Sequence, residues 1–288
     1  MLFSRINFRD FPLIDTHVHL FSGPADKEFP PHPDAPYQPK KRFGPAELTR
    51  LMDPTLIKAV VLVHPETYQD DHSWLLHCLD SLPGLSKGIC HLFPQKPDTP
   101  KRLLELALDK SIVGVRLHAY APNRLPPLDV LTLGAFWAAA AKAGLLIQLH
   151  LEPRYAPAFT PLFESFPEVK VVIDHCGRPL QGTPSEFQHI LDWSRFPQVF
   201  MKLSMLITKD QYPHRDIKPM VNDLANRFGP DRLLFGATVP CDQPEEVLRQ
   251  KERLLELLGN PDTLFCQKVF SDNAYKLFGF GNPLDEPI

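Results

Sequence analysis

Eight short apolar runs alternate with eight segments of helical spacing along the 288 residues, and this pattern predicts a (β/α)8 barrel. The runs are 13–20, 57–64, 86–93, 113–118, 145–151, 169–174, 199–203 and 232–236. Helical segments are expected around 46–52, 71–81, 99–109, 131–143, 155–166, 184–193, 215–228 and 244–258. Runs such as Ala59-Val60-Val61-Leu62-Val63 are apolar throughout, as strands are when helices cover a parallel sheet and both faces are buried. Barrels of this kind take roughly 250 residues, so one domain over 1–288 with a modest insertion fits the length. The competing open, doubly wound sheet is disfavoured, because no GxGxxG follows the first run and no compositional break divides the chain.

Each element then follows from local chemistry. The chain holds 32 prolines in 288 residues, about twice the usual share. They gather at 24–45, 94–100 and 122–127 and at strand ends, which marks stiff connections between regular elements. The stretch 21–48 is too long for a routine strand-to-helix turn, so a Pro-rich loop after the first strand is expected to wall the pocket. A net charge of -3 gives no reason to expect nucleic acid or an anionic membrane surface as a partner. The five cysteines are odd in number and scattered, the pattern of reduced thiols in the cytoplasm. The first ten residues carry charges where a signal peptide needs an apolar core, and no run approaches the ~20 apolar residues of a membrane span. A small-molecule substrate is the partner expected, and the oligomeric state, homo-oligomer included, stays open.

Chemistry concentrates where barrel strands end. The first run closes on Asp15-Thr16-His17-Val18-His19. Residues two apart on a strand share a face, so the two imidazoles should project together as two legs of a metal site, with Asp15 beside them as an orienting partner. Further histidines stand near the ends of the next five runs: His64, His91, His118, His150 and His175. Each alone is more often structural; their gathering at one level of a barrel reads as a site.

Four motifs, Asp15 to Phe21, His150-Leu151-Glu152, Asp174 to Pro179 and Asn273 to Gly279, resemble the amidohydrolase superfamily, over residues 13 to about 280. They are similar to its amidohydrolase-related branch, which holds 2-pyrone-4,6-dicarboxylate lactonase, sugar lactonases and non-oxidative decarboxylases. Phe29-Pro30, Tyr37-Gln38-Pro39 and Gly44-Pro45 in the long loop favour the lactonase side. The resemblance implies a hydrolase of a small, carboxylate-bearing lactone or ester, with decarboxylation as the alternative. It implies His17, His19 and His150 as ligands of one divalent ion, Zn or Mn, while a pyrone lactonase works without a metal. It makes His175 the group that polarises a carbonyl or handles a proton, and Tyr37, Arg116 and Arg178 the substrate-binding set. A bidentate guanidinium suits a carboxylate, although Arg116 could also pair with Asp174 or Glu152 inside the barrel.

One position departs from the family. Its members end the eighth strand with Gly-Ser/Thr-Asp-Trp-Pro, and here the run is Gly236-Ala237-Thr238-Val239-Pro240. Threonine cannot take a proton at neutral pH, so the usual carboxylate base is missing. Asp242 is the nearest replacement; the other readings are a binding barrel without turnover, different chemistry, or a substituted chain. Lys202 could point into the barrel, and no role follows for it.

Overall fold

The computed structural model describes residues 13–121, 124–237 and 243–280. Eight parallel strands run in sequence order, β1 (Leu13–Val18), β2 (Ile57–Val63), β3 (Ser86–His91), β4 (Ile112–Ala119), β5 (Leu146–Leu151), β6 (Val171–Ile173), β7 (Val199–Leu203) and β8 (Leu233–Phe235). The helices between them are α1 (Pro45–Thr55), α2 (Ser73–Ser81), α3 (Thr99–Leu106), α4 (Val130–Ala143), α5 (Thr160–Ser165), α6 (Pro184–Asp192), α7 (Lys218–Phe228) and α8 (Pro244–Leu257). This is the (β/α)8 barrel the alternation predicts. The prolines have a second use besides stiffening loops. Six helices, α1, α3, α5, α6, α7 and α8, carry one in their first two positions, where the missing N–H costs nothing and the fixed φ favours the turn.

Two apolar layers follow from strand periodicity. Ile14, Ala59, Val61, Val63, Ile89, Leu146, Val172 and Leu234 fill the lower lumen, while Val60, Leu62, Val115, Leu117, Ile147 and Leu149 face the helices. Near the C-terminus, α9 (Thr263–Gln267) and a π-helical turn lead into α10 (Asn273–Phe278). Ala274, Phe278 and Phe280 pack against the lower lumen residues, so the Asn273–Gly279 motif supports the barrel from below rather than contributing chemistry.

The same alternation lifts polar side chains into the upper lumen: Arg116 and His118 on β4, Gln148 and His150 on β5, Asp174 after β6, Lys202 and Ser204 from β7. On β1 the rule is broken. Its pairing with β2 slips between Asp15 and Val18. Ile14 in the lower lumen and His17 beside Lys202 both face inward although three residues apart, which a regular strand forbids. Asp15 is therefore not on the imidazole face. It turns to the seam with β8, where its carboxylate accepts the N–H groups of His17 and Ala237, each at 3.0 Å. Thr16 Oγ1 donates to Phe235 O across the same seam at 2.6 Å.

The long loop is anchored over β2. Phe21 and Phe43 exchange N–H···O bonds of 2.8 and 2.9 Å, and Ser22 N–H donates to Tyr68 Oη at 2.7 Å. His32 N–H reaches Thr67 O at 2.8 Å, and the Trp74 indole donates to Leu20 O at 2.9 Å.

The seam bond makes a prediction. Thr16→Val keeps the volume and removes the donor to a buried carbonyl, so it should lower unfolding stability by about 1–2 kcal/mol. Urea unfolding checks it; an unchanged midpoint would show that the seam does not need this bond.

Candidate active site

The turn after β6 sets the geometry of the mouth. His175, Cys176, Gly177 and Arg178 take φ of 54, 56, 67 and 51°, four left-handed residues in succession, three of them with a side chain. Each non-glycine costs of order 1 kcal/mol or more there. Hydrogen bonds hold the turn: Gly177 N–H to Asp174 O at 2.9 Å and Arg178 N–H to His175 O at 2.8 Å. A Cβ on Gly177 would stand 2.6 Å from Ile190 Cγ2, so glycine is required by space as well as by φ. This strain brings His175 to the mouth and throws Arg178 over it.

Below lies the polar floor. Asp174 is fully buried, with Lys202 Nζ 3.2 Å from Oδ1 and an Arg116 guanidinium nitrogen 2.9 Å from Oδ2. Burial pushes its pKa up, and the charges of Lys202 and Arg116 outweigh that, holding the carboxyl well below the usual range. Lys202 Nζ also donates to Thr16 O at 2.9 Å and Gln148 Oε1 at 3.1 Å, and lies 3.3 Å from His17 Nδ1. Asp174 faces two cations, and the Asp15 carboxylate also acts on Lys202, so the positive excess at the mouth comes from Arg178 above them.

His17 and His19 do converge. Their Nε2 atoms stand 3.2 Å apart. His19 Nδ1 is 2.7 Å from Val63 O, so it carries the proton there and its Nε2 presents a lone pair. Two nitrogens on a tetrahedral ion at about 2.0–2.1 Å stand about 3.3 Å apart, so the pair fits two ligands of one divalent ion. Without an ion, His17 Nε2 must donate its proton to His19. His17, Asp174 and His175 also bring one donor atom each within 4.8 Å of one another. Burial lowers the pKa of His17 well below 6.5, and burial with the Arg116 charge lowers that of His19 to about 4, leaving both neutral, as ligands must be.

His150 is placed differently. Arg116 lies 3.1 Å from its Nδ1, and the Arg178 guanidinium touches its Nε2. A neutral imidazole has one lone pair, so it can accept from only one of these cations. The ring of Tyr120 lies 4.9 Å from that of His150, with the guanidiniums of Arg124 and Arg178 at 4.9 and 5.7 Å from its centroid. His175 Nδ1 bonds Ser204 Oγ at 2.9 Å, and its Nε2 lies 3.4 Å from Arg116. Arg116 thus pairs with Asp174, the alternative open in the sequence, whereas Arg178 makes no ion pair among the described residues. Tyr37 sits in the loop, its carbonyl 3.4 Å from Thr67 Oγ1; burial and then the nearby Glu66 charge raise its phenol pKa. Thr238 and Asp242 lie outside the described residues.

Sequence reasoning missed Glu66, Tyr120, Arg124 and Ser204. All four follow strand ends by one to five residues, so extending the strand-end rule into the loops would have found them. Four cysteines, 78, 90, 176 and 266, are free and buried, and burial pushes the Cys176 thiol up to about 12, which makes it no nucleophile.

A parallel barrel with its reactive side chains at the C-terminal mouth is a barrel enzyme. The family model described as amidohydrolase matches residues 14–280, and the chain belongs to that family of hydrolases. It is similar to an L-fucono-1,5-lactonase of Burkholderia ambifaria, 27% identical over 240 residues, 80% of this chain and 81% of that protein. Among solved structures it resembles a candidate 2-pyrone-4,6-dicarboxylic acid hydrolase of Pseudomonas putida, with TM-score 0.77, 24% identity and coverage of 94% and 99%. It also resembles a zinc-bound amidohydrolase of Burkholderia multivorans, with TM-score 0.74, 19% identity and coverage of 93% and 99%.

The buried imidazoles predict acid sensitivity. Eight histidines, at 17, 19, 64, 72, 91, 118, 150 and 175, have folded pKa values lowered, first by burial. The folded state binds fewer protons, so this stability is present above about 6.5 and is lost as pH falls towards the folded values, about 4 for His19 and His72. Asp15 works in the opposite direction: its carboxyl, raised by burial to about 6, contributes stability below 3.8 that is lost as pH rises. One group opposes eight, each carrying up to about 1.4 kcal/mol per pH unit. The thermal midpoint should fall clearly between pH 7 and pH 5, and a flat midpoint would contradict buried, neutral histidines.

Proposed function

We propose that this mouth hydrolyses a lactone or carboxylic ester of a small organic acid. The observation that carries the reading is a neutral His175 held beside the Arg178 guanidinium, which makes no ion pair among the described residues, above a floor where Asp174 meets two cations. Hydrolysis develops negative charge on the carbonyl oxygen, which these cations stabilise. The relatives that act on lactones and on a pyrone dicarboxylate support the same class of substrate.

In this reading Arg178 holds the carbonyl or carboxylate oxygens of the substrate, and Tyr37 meets the substrate from the loop, on the Glu66 side. Arg116 contributes its charge from below while tied to Asp174. His175, its Nδ1 fixed by Ser204, takes the proton of the attacking water at Nε2. The water oxygen bonds to the carbonyl carbon, the ring C–O bond breaks, and the departing alkoxide receives the proton, giving a hydroxy acid. Asp242 is the alternative acceptor of that proton. His17 and His19 would hold a divalent ion, with His150 as the candidate third ligand if the guanidiniums move off it. When bound there, the ion lowers the pKa of a water and polarises a carbonyl. The cytoplasm is the proposed compartment, supported by the free, buried thiols.

Thr238 favours a second reading, a barrel that binds a small acid without turnover. A panel of γ- and δ-lactones and phenyl acetate, followed by acid release with a pH indicator, separates the two. The expected result is acid release from at least one lactone, reduced about 10²–10⁴-fold in His175→Asn. Acid release from none, regained in Thr238→Asp, would support the binding reading instead.

A further inference from the structure

Beside the reactive groups, between the ends of β2, β3 and β4, lies a second polar chamber. Glu66, His91, His118 and Arg124 line it, with Leu92, Phe93 and Pro126. Its volume is about 50 Å³, room for a few water-sized groups. It adjoins the reactive centre: the His118 ring lies 5.1 Å from that of His150, which lies 4.9 Å from that of His175.

The chamber is built and partly unsatisfied. Glu66 Oε1 and Arg124 Nε form an ion pair at 2.8 Å, and the two residues are held by different loops. Arg124 lies over the Tyr120 ring, and the backbone N–H of each reaches the other's carbonyl, at 3.3 and 3.2 Å. His118 is 6% exposed, and neither of its ring nitrogens finds a hydrogen-bond partner among the described residues. Glu66 Oε1 is 3.1 Å from its Nδ1 without hydrogen-bond alignment. His91 Nδ1, 2% exposed as a residue, is also without a partner. Buried polar atoms left in this way are destabilising unless a ligand or water satisfies them.

We propose that this chamber is a subsite that receives an uncharged, hydroxyl-bearing arm of the substrate and rejects a carboxylate there. The inference rests on the lactone-hydrolysis reading and adds what surrounds the ester. A neutral imidazole offers one donor and one acceptor, Glu66 offers acceptors, and Arg124 offers N–H donors. A hydroxyl both donates and accepts, so it can complete this mixed set. An apolar arm would leave the imidazoles unsatisfied. A carboxylate would find Arg124 already neutralised and Glu66 facing it, and like charges at close range repel. Substrate carboxylate, where present, belongs at Arg178 on the other side of His150.

Two commercially available lactones differ only in this arm. D-Glucono-1,4-lactone carries a hydroxymethyl group where D-glucaro-1,4-lactone carries a carboxylate. The wild-type enzyme should favour the first by at least tenfold in kcat/KM, and Glu66→Gln should lower that ratio at least tenfold, since Arg124 is then free to attract the carboxylate. A ratio taken on one preparation does not depend on the folded fraction, so partial misfolding of the variant does not obscure it. Equal rates in the wild type, a preference for the carboxylate, or a ratio unchanged in Glu66→Gln would overturn the proposal. So would turnover of δ-valerolactone with neither sugar-acid lactone accepted. Failure to hydrolyse any of the three, or any lactone of the wider panel, would instead sink the hydrolase reading on which the proposal rests.

Discussion

One buried carboxylate organises the upper barrel. Asp174 stands at the end of β6, fully enclosed, with Lys202 on one oxygen and Arg116 on the other. Two cations in a dry lumen would each carry a desolvation cost of several kcal/mol if unpaired. Asp174 between them offsets that cost, with the Asp15 carboxylate acting on Lys202 from the β8 seam. From this pair of contacts the rest follows. Lys202 is fixed against His17 and the carbonyl of Thr16, and Arg116 against His150 and His175. The histidines remain neutral because they are buried among cations. Neutral imidazoles beside the Arg116 and Arg178 guanidiniums suit a reaction that builds negative charge on oxygen.

The strained turn after β6 serves the same floor. Four left-handed residues are an unfavourable way to leave a strand, and they persist because Asp174 below and Ile190 beside Gly177 leave the chain little choice. The turn carries both His175 and Arg178, so the strain sets the separation between a proton acceptor and a guanidinium that makes no ion pair among the described residues. Across His150, the Glu66–Arg124 pair forms a second, neutralised end of the mouth. A substrate that spans the two ends meets free positive charge on one side and a mixed hydroxyl-binding set on the other.

Much of this was legible in the sequence. The strands could be placed within a few residues because a parallel sheet buried on both faces requires apolar runs, and the helices because each run is followed by amphipathic spacing. The histidines at strand ends marked the mouth correctly. What the sequence did not reveal depends on contacts between distant residues. The slip on β1 sends Asp15 to β8, and nothing in Asp-Thr-His-Val-His distinguishes a regular strand from a bulged one. The partner of Arg116 is 58 residues away and that of Lys202 is 28 residues away on another strand, so substrate binding and internal pairing look alike in one dimension. Glu66 and Arg124 lie in loops whose course only the fold determines.

The central claim is that Asp174 neutralises two cations at once, and unfolding free energies of Asp174→Asn, Lys202→Met and the double variant test it most directly. Lys202→Met leaves Asp174 paired with Arg116 and should cost little beyond its lost hydrogen bonds. Asp174→Asn strands two buried cations and should cost about 3–5 kcal/mol. Adding Lys202→Met to Asp174→Asn should then recover part of the loss. Strictly additive losses, or a lysine variant as unstable as the aspartate variant, would contradict the account.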